Sequence, residues 1–136
     1  MENSIVLTTG IYDLIKDHVR RKKVTVEQES ILSNELRNAT QLLRKELPSD
    51  IVSVDRKVVI NDLTLNVKRE LFIVGPKKAK IQANRFSVLS DIGLATIGRK
   101  KGETVSWPTP TGVKQYEILE IDAMYQEILP ACDDAA

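Results

Sequence analysis

The hydrophobic period of this chain changes once, at Pro48, and that change limits the fold to a helical segment followed by a sheet-forming one. Before Pro48, Ile11, Leu14, Ile15, His18 and Val19 recur at helical spacing and define one apolar stripe. Thr8 or Thr9 is placed to cap this helix, and Asp13 suits the positive end of its dipole. A second helix starts at "TVEQ", where Thr25 as N-cap and Gln28 at the third helical position make a capping box. Its stripe, Leu32, Leu36, Ala39 and Leu43, has the 4-3-4 spacing of a coiled-coil seam, with Ile31 and Leu42 beside it. Pro48 stops it. Two amphipathic helices joined by a few residues imply an antiparallel hairpin, a short coiled coil over residues 1–47.

From residue 48 onward the pattern alternates. "RKVVINDLTLNVKRELFIV" reads as two strands around a turn at Asn61-Asp62 or slightly later, and "PKKAKIQAN" as a polar connector. "FSVLS" is a short strand. In "SDIGLATIG", Ser90 is the N-cap and Asp91 lies in the first turn. Ile92, Ala95 and Thr96 share one face, and Gly98 ends the helix. "ETVSWPTPTGVKQYEILEID" is a hairpin turning around Thr111-Gly112, alternating through Val105 and Trp107, then Tyr116, Ile118 and Ile121. The expected class is therefore α+β: a helical hairpin, then an antiparallel sheet domain with one short helix over 48–136, its tail (126–136) frayed.

The totals exclude several functions. Aromatic residues are 4% of the chain, too few for an aromatic-lined ligand pocket or base-stacking platforms. A net charge of +1 argues against nucleic-acid binding driven by bulk charge, although a local basic patch is compatible with it. Cys132 is the only cysteine, so no intrachain disulfide forms and a reducing compartment is the simpler reading. "MENSIVLTTG" has no cationic start followed by an apolar run, and no stretch approaches membrane-spanning length. The expectation is a soluble cytoplasmic protein without a membrane partner.

Candidate chemistry is sparse. His18 is the sole histidine and lies on the apolar stripe of the first helix, where it fills the hairpin seam. No cysteine or second histidine stands nearby in sequence to complete a dyad or metal set. Asp13 and Asp17, at i,i+4, share a face that reads as solvated. "RRKK", Arg20 to Lys23, is a solvated helix end that also forms the hairpin tip, the first part to meet a partner. No Gly-rich phosphate loop, Ser-His-Asp order or CxxC pair is present. No cofactor or metal is implied, and the chain is expected not to be an enzyme.

The stretch Phe86 to Asp122 resembles the C-terminal domain of the bacterial GreA/GreB transcript-cleavage factors. Ser90, Ile92, Ala95, Ile97, Gly98, Gly102, Thr109, Pro110, Gly112, Tyr116, Ile118 and Ile121 match that family's ordered pattern. Asp91 stands where the family usually has proline, and Gly93 where it has alanine. With "RKVVINDL", which resembles the family's first strand and turn, the match runs from about Ile51 to Tyr125. The resemblance implies an FKBP-like antiparallel sheet domain that docks at the rim of the RNA polymerase secondary channel. It also implies a helical hairpin that enters the channel, where acidic tip residues in the family help hold a catalytic metal ion.

Here the hairpin departs from the family. A first helix of about 14 residues extends ~20 Å, shorter than in family members that cleave RNA, and the family's acidic tip motif is absent. The tip carries Arg20, Arg21, Lys22 and Lys23, with Glu27 beyond them. Cations repel a divalent metal, and Glu27 and Glu29 face different directions on a helix. The short hairpin resembles the Rnk-like branch. These features imply a polymerase-binding transcription regulator, a monomer that docks through Ser90, Asp91 and Ile92 without cleaving RNA. It would touch DNA or RNA only within the polymerase complex. The alternative is a transcript-cleavage factor in which Glu27 or Glu29 assists the polymerase metal site. A prolyl isomerase, suggested by the FKBP-like fold, lacks an evident aromatic-walled proline pocket.

Overall fold

Thr25 and Gln28 form the reciprocal cap their spacing implies. The Gln28 amide donates to Thr25 Oγ1 at 3.1 Å, and the Thr25 amide to Gln28 Oε1 at 3.1 Å. In the computed structural model, which describes residues 5–122, this cap starts α2 (Val26–Asn38). The preceding helix, α1 (Thr9–Arg20), is capped by Thr8, whose hydroxyl accepts from the Ile11 amide at 3.4 Å. Ile15 and Val19 of α1 and Leu32 and Leu36 of α2 are buried in one cluster, with Leu14 and Ile31 packed against it. At 12 residues, α1 is ~18 Å long.

The second helix is shorter than its apolar stripe implies. It ends at Asn38, and Ala39 leaves it with extended backbone angles (φ −71°, ψ 146°). Leu43, the last position of the expected seam, is 55% exposed. Thr40–Leu42 instead forms β2, which pairs in parallel with β1 (Val6–Thr8). The Thr40 amide donates to the Ile5 carbonyl at 3.0 Å, so the free edge of the first strand captures the chain as it leaves α2. Thr40 is β-branched and favours that extended state. The coiled-coil seam is thus confined to α1 and the first three turns of α2, and residues 40–47 are not α-helical, carrying only a single 3-10 turn at Arg44–Glu46.

The second half is a five-stranded sheet in the order β5-β4-β3-β7-β6. Its strands are β3 (Arg56–Asp62), β4 (Val67–Val74), β5 (Arg85–Ser87), β6 (Thr104–Thr109) and β7 (Gly112–Asp122). Every residue of β3 alternates between buried and half-buried, with Val58 and Ile60 fully buried. Asp62 fixes the following turn: its Oδ1 accepts from the Thr64 and Leu65 amides, both at 3.1 Å, so the chain turns over 63–66, just after Asn61-Asp62. A bulge between Val59 and Ile60 shifts the register with β7, whose Glu120 and Ile118 oppose them. Pro108, which has no amide hydrogen to donate, lies in β6 at the sheet edge.

One strand pairing breaks the expected antiparallel pattern. β5 runs parallel to β4, because the connector 75–84 carries the chain back along the sheet before β5 begins. A parallel neighbour needs such a crossover, whereas an antiparallel one is reached by a tight turn. Next comes α3 (Asp91–Thr96), capped by Ser90, whose Oγ accepts from the Gly93 amide at 3.2 Å. Gly93 lies so close to the preceding loop that a Cβ there would sit 2.2 Å from the Ser87 carbonyl oxygen. Ile92, Leu94, Ala95 and Ile97 join Val88, Trp107, Tyr116 and Ile118 in the core, which continues into the helical segment through Ile5 and Leu7. The expected tail, 126–136, and Cys132 lie outside the described residues.

Candidate functional site

The two candidate surfaces are the hairpin tip and the start of α3, and the structure shows how each is built. At the tip, α1 ends by turning its chain back with Lys22 in the left-handed region (φ 59°). The Lys22 amide donates to the Val19 carbonyl at 2.9 Å and the Lys23 amide to the His18 carbonyl at 3.3 Å. This is the Schellman arrangement, and the left-handed position usually belongs to glycine. Its effect is to project four successive cations from the end of the hairpin.

Three of those cations have acidic neighbours. Arg20 and Arg21 both turn back onto Asp17, the latter at 2.8 Å, and Lys22 Nζ lies 3.1 Å from Glu29 Oε2. The arginine pairs, with Arg20 first, hold the Asp17 carboxyl below the usual carboxylate range. All three cations stay largely exposed, at 77%, 67% and 74% of their side chains. Exposed pairs of this kind contribute only about 0–1 kcal/mol, so the cations can exchange these acids for a partner's. Glu29, one of the two carboxylates of the alternative cleavage reading, pairs with Lys22, whereas Glu27 is exposed in the first turn of α2. Half-buried His18 packs behind the tip, and burial, then Lys23, lowers its pKa.

At the start of α3 the three sequence candidates have distinct structural duties. Ser90 caps the helix. Ile92, one of the three residues expected to dock, is 7% exposed and belongs to the core, because it shares the buried face of a six-residue helix. Asp91 is exposed as a residue, yet its Oδ1 accepts from Trp107 Nε1 and from Gln28 Nε2, both at 3.1 Å. Gln28 Nε2 also donates to the Pro108 carbonyl at 2.7 Å.

This junction was not legible in advance. Sequence spacing marks Gln28 only as a capping residue, but it is 3% exposed and caps α2 with its oxygen while reaching the sheet domain with its nitrogen. A second tie joins Glu35 of α2 to Arg99 just after α3, and both side chains are mostly buried. The start of α3 thus anchors the arm, and Asp91 links the two segments where the resembling family usually has proline.

Buried polar ties thus fix the helical arm to the sheet domain and hold its tip at a set position. Residues 47–123 match the family described as transcription elongation factor, GreA/GreB, C-terminal, and the chain belongs to that family. Transcription elongation factor GreA of Clostridium botulinum, strain Hall, is 36% identical over 107 residues, covering 78% of this chain and 67% of that protein. The same factor from strain Eklund 17B is 39% identical over 90 residues, 66% of this chain and 56% of its own length. A solved structure of the prokaryotic transcription elongation factor GreA/GreB from Nitrosomonas europaea covers 89% of this chain and 99% of its own, with 21% identity and a TM-score of 0.65. That likeness shows the fold.

These relatives also correct one expectation. The chain was expected not to be an enzyme, but its relatives are named GreA, a factor that stimulates transcript cleavage by RNA polymerase. That is a hydrolytic activity, carried out with the polymerase's assistance. Among the described residues no helix is long and apolar enough to cross a membrane.

Proposed function

We propose that this chain is a cytoplasmic transcription elongation factor that binds RNA polymerase as a monomer. In this reading the sheet domain docks at the rim of the secondary channel, and the short hairpin enters the channel and works there by occupancy. The observation that carries the reading is the family match over residues 47–123, joined to a hairpin locked in place by Gln28, Asp91 and Trp107. Docking is assigned to the surface around Ser90 and Asp91, above buried Ile92. The tip cations Arg20, Arg21, Lys22 and Lys23 meet acidic channel walls or RNA phosphates, with contact to nucleic acid made only inside the polymerase complex. Such contacts weaken with salt, because exposed charges are screened over about 8–10 Å.

A second reading is favoured by the GreA relatives themselves: the chain stimulates the polymerase's transcript cleavage, with Glu27 as the available carboxylate at the tip. Stalled elongation complexes separate the two. The occupancy reading expects salt-sensitive competition with a cleaving Gre factor, weakened when Arg20, Arg21, Lys22 and Lys23 are all changed to serine. Mg²⁺-dependent RNA shortening by this chain alone, lost on Glu27→Ala, would establish the second reading and overturn the first. Failure of the folded chain to retain core polymerase in a pull-down would overturn both.

A further inference from the structure

At the base of the hairpin, the opposite end from the tip, a cavity of about 350 Å³ opens beside the first turn of α1. Leu42 and Arg44, at and after the end of β2, line one side, and Val54 and Arg56, just before and at the start of β3, line another. A volume of this order falls within the range of small-molecule sites.

Arg56 is 7% exposed, and only its Nη1 is engaged, donating to the carbonyls of Pro48 at 2.8 Å and Ile51 at 2.6 Å. Its Nε is buried without a partner. No ion pair joins Arg56 to an acid among the described residues, and a buried guanidinium without a counter-charge is costly. The nearby acids do not remove that cost. Asp55 pairs with Arg44 at 3.3 Å, and Glu46 accepts from the Leu43 amide at 3.0 Å. Burial, followed by the positive charge of Arg44, disfavours the protonated form of Arg56, and Asp50 opposes this only as a weaker influence.

The helix end facing the same cavity adds donors. The Thr8 hydroxyl takes the Ile11 amide, which leaves the Gly10 amide in the first turn without an acceptor inside the helix. A side chain added at Gly10 would meet nothing within 4 Å, so a ligand can approach this backbone directly. The 12-residue α1 also brings the positive end of its dipole to this point.

We propose that this cavity is a phosphate-binding site for a small phosphorylated molecule. Arg44 and the remaining Nη2 amine of Arg56 supply guanidinium donors, the first turn of α1 supplies the Gly10 amide, and Leu42 and Val54 contact the body of the ligand. Donors arriving from three separate elements suit a tetrahedral dianion, whereas a planar carboxylate is satisfied by one guanidinium fork. An occupant would touch both the hairpin base and the segment entering the sheet, and so tighten their junction. The site stands independently of polymerase binding.

Isothermal titration calorimetry on the full chain tests the assignment, with inorganic phosphate, pyrophosphate and a nucleoside monophosphate as probes and acetate as the carboxylate control, all at fixed ionic strength. The expected result is saturable 1:1 phosphate binding, with acetate weaker by about tenfold or more, a difference of about 1.4 kcal/mol. Arg44→Gln, at a side chain 59% exposed, weakens phosphate binding about tenfold without disturbing the fold. Gly10→Asp suits a helix N-terminus, so the variant folds, but its carboxylate competes in the open mouth and abolishes binding. Phosphate raises the melting temperature of the unmodified chain and leaves that of Gly10→Asp unchanged. No saturable binding of any phosphate probe, affinity untouched by both variants, or acetate binding as well as phosphate would each overturn the proposal.

Discussion

Replacing Asp91 with alanine isolates the tie between arm and sheet domain. The carboxylate oxygen accepts from Trp107 Nε1, on a side chain 2% exposed, and from Gln28 Nε2, on a side chain 3% exposed. Gln28 keeps the Pro108 carbonyl as an acceptor, whereas the indole loses its acceptor. Leaving one buried donor unsatisfied and breaking a second charge-assisted bond costs about 2–4 kcal/mol. At a urea m-value of about 1.5 kcal/mol/M, the unfolding midpoint falls by roughly 1–3 M. Asp91→Asn keeps an acceptor oxygen and loses only the charge, so its midpoint falls about half as far. Far-UV circular dichroism in urea reads both variants, and a double-mutant cycle with Trp107→Phe gives a coupling of about 1 kcal/mol. A loss below about 0.5 kcal/mol for Asp91→Ala, the range of ordinary surface substitutions, refutes the reasoning.

Three further outcomes are expected. Lys22→Gly removes the cost of a left-handed lysine and, after the exposed Lys22–Glu29 pair is deducted, stabilises the chain by about 0.5–1 kcal/mol in thermal melts; a lower melting temperature would contradict the Schellman assignment. Gly93→Ala forces a methyl against the Ser87 carbonyl and destabilises by about 3 kcal/mol, so an unchanged urea midpoint would show that the loop before α3 yields freely. His18 has its pKa lowered from 6.5 in the folded chain, so between that lowered value and 6.5 the unfolded chain binds more protons. Stability therefore rises with pH across that window and is fully present above it; His18→Gln flattens the slope in pH-dependent melts, and a slope that persists would assign it to another group.

What the sequence disclosed and what it withheld divide along the reach of each interaction. The Thr25–Gln28 cap, the Ser90 cap and the Thr111-Gly112 turn are local chemistry, and their residues stand within a few positions of one another. The β1–β2 pairing joins Val6 to Thr40, and three-residue strands are too short to show a period. The apolar stripe therefore carried the expected helix past Asn38, because Leu42 and Leu43 fit a helical seam as well as they fit an extended segment. Parallel β5 escaped for a related reason: the polar connector gave no sign of which way it returned. At the candidate site, Asp91 was visible as a departure from the family pattern. Its partners lie 63 and 16 residues away, beyond any motif. The burial of Ile92 follows from the very stripe that singled it out, since a six-residue helix on a sheet turns most of its residues inward.

The pairing of Val6–Thr8 with Thr40–Leu42 makes the helical arm a closed excursion whose two roots stand side by side. Changes in its length need not disturb either the sheet or the ties at Gln28 and Glu35. Residues added in equal number to α1 and to the start of α2, on the tip side of those ties, would advance the tip by about 1.5 Å per added pair. Seven such pairs carry it about 10 Å further and turn it only ~20° from its original bearing, since seven residues nearly complete two helical turns. Reach is thus an independently adjustable dimension of this scaffold, set by how many turns stand above a root that stays put.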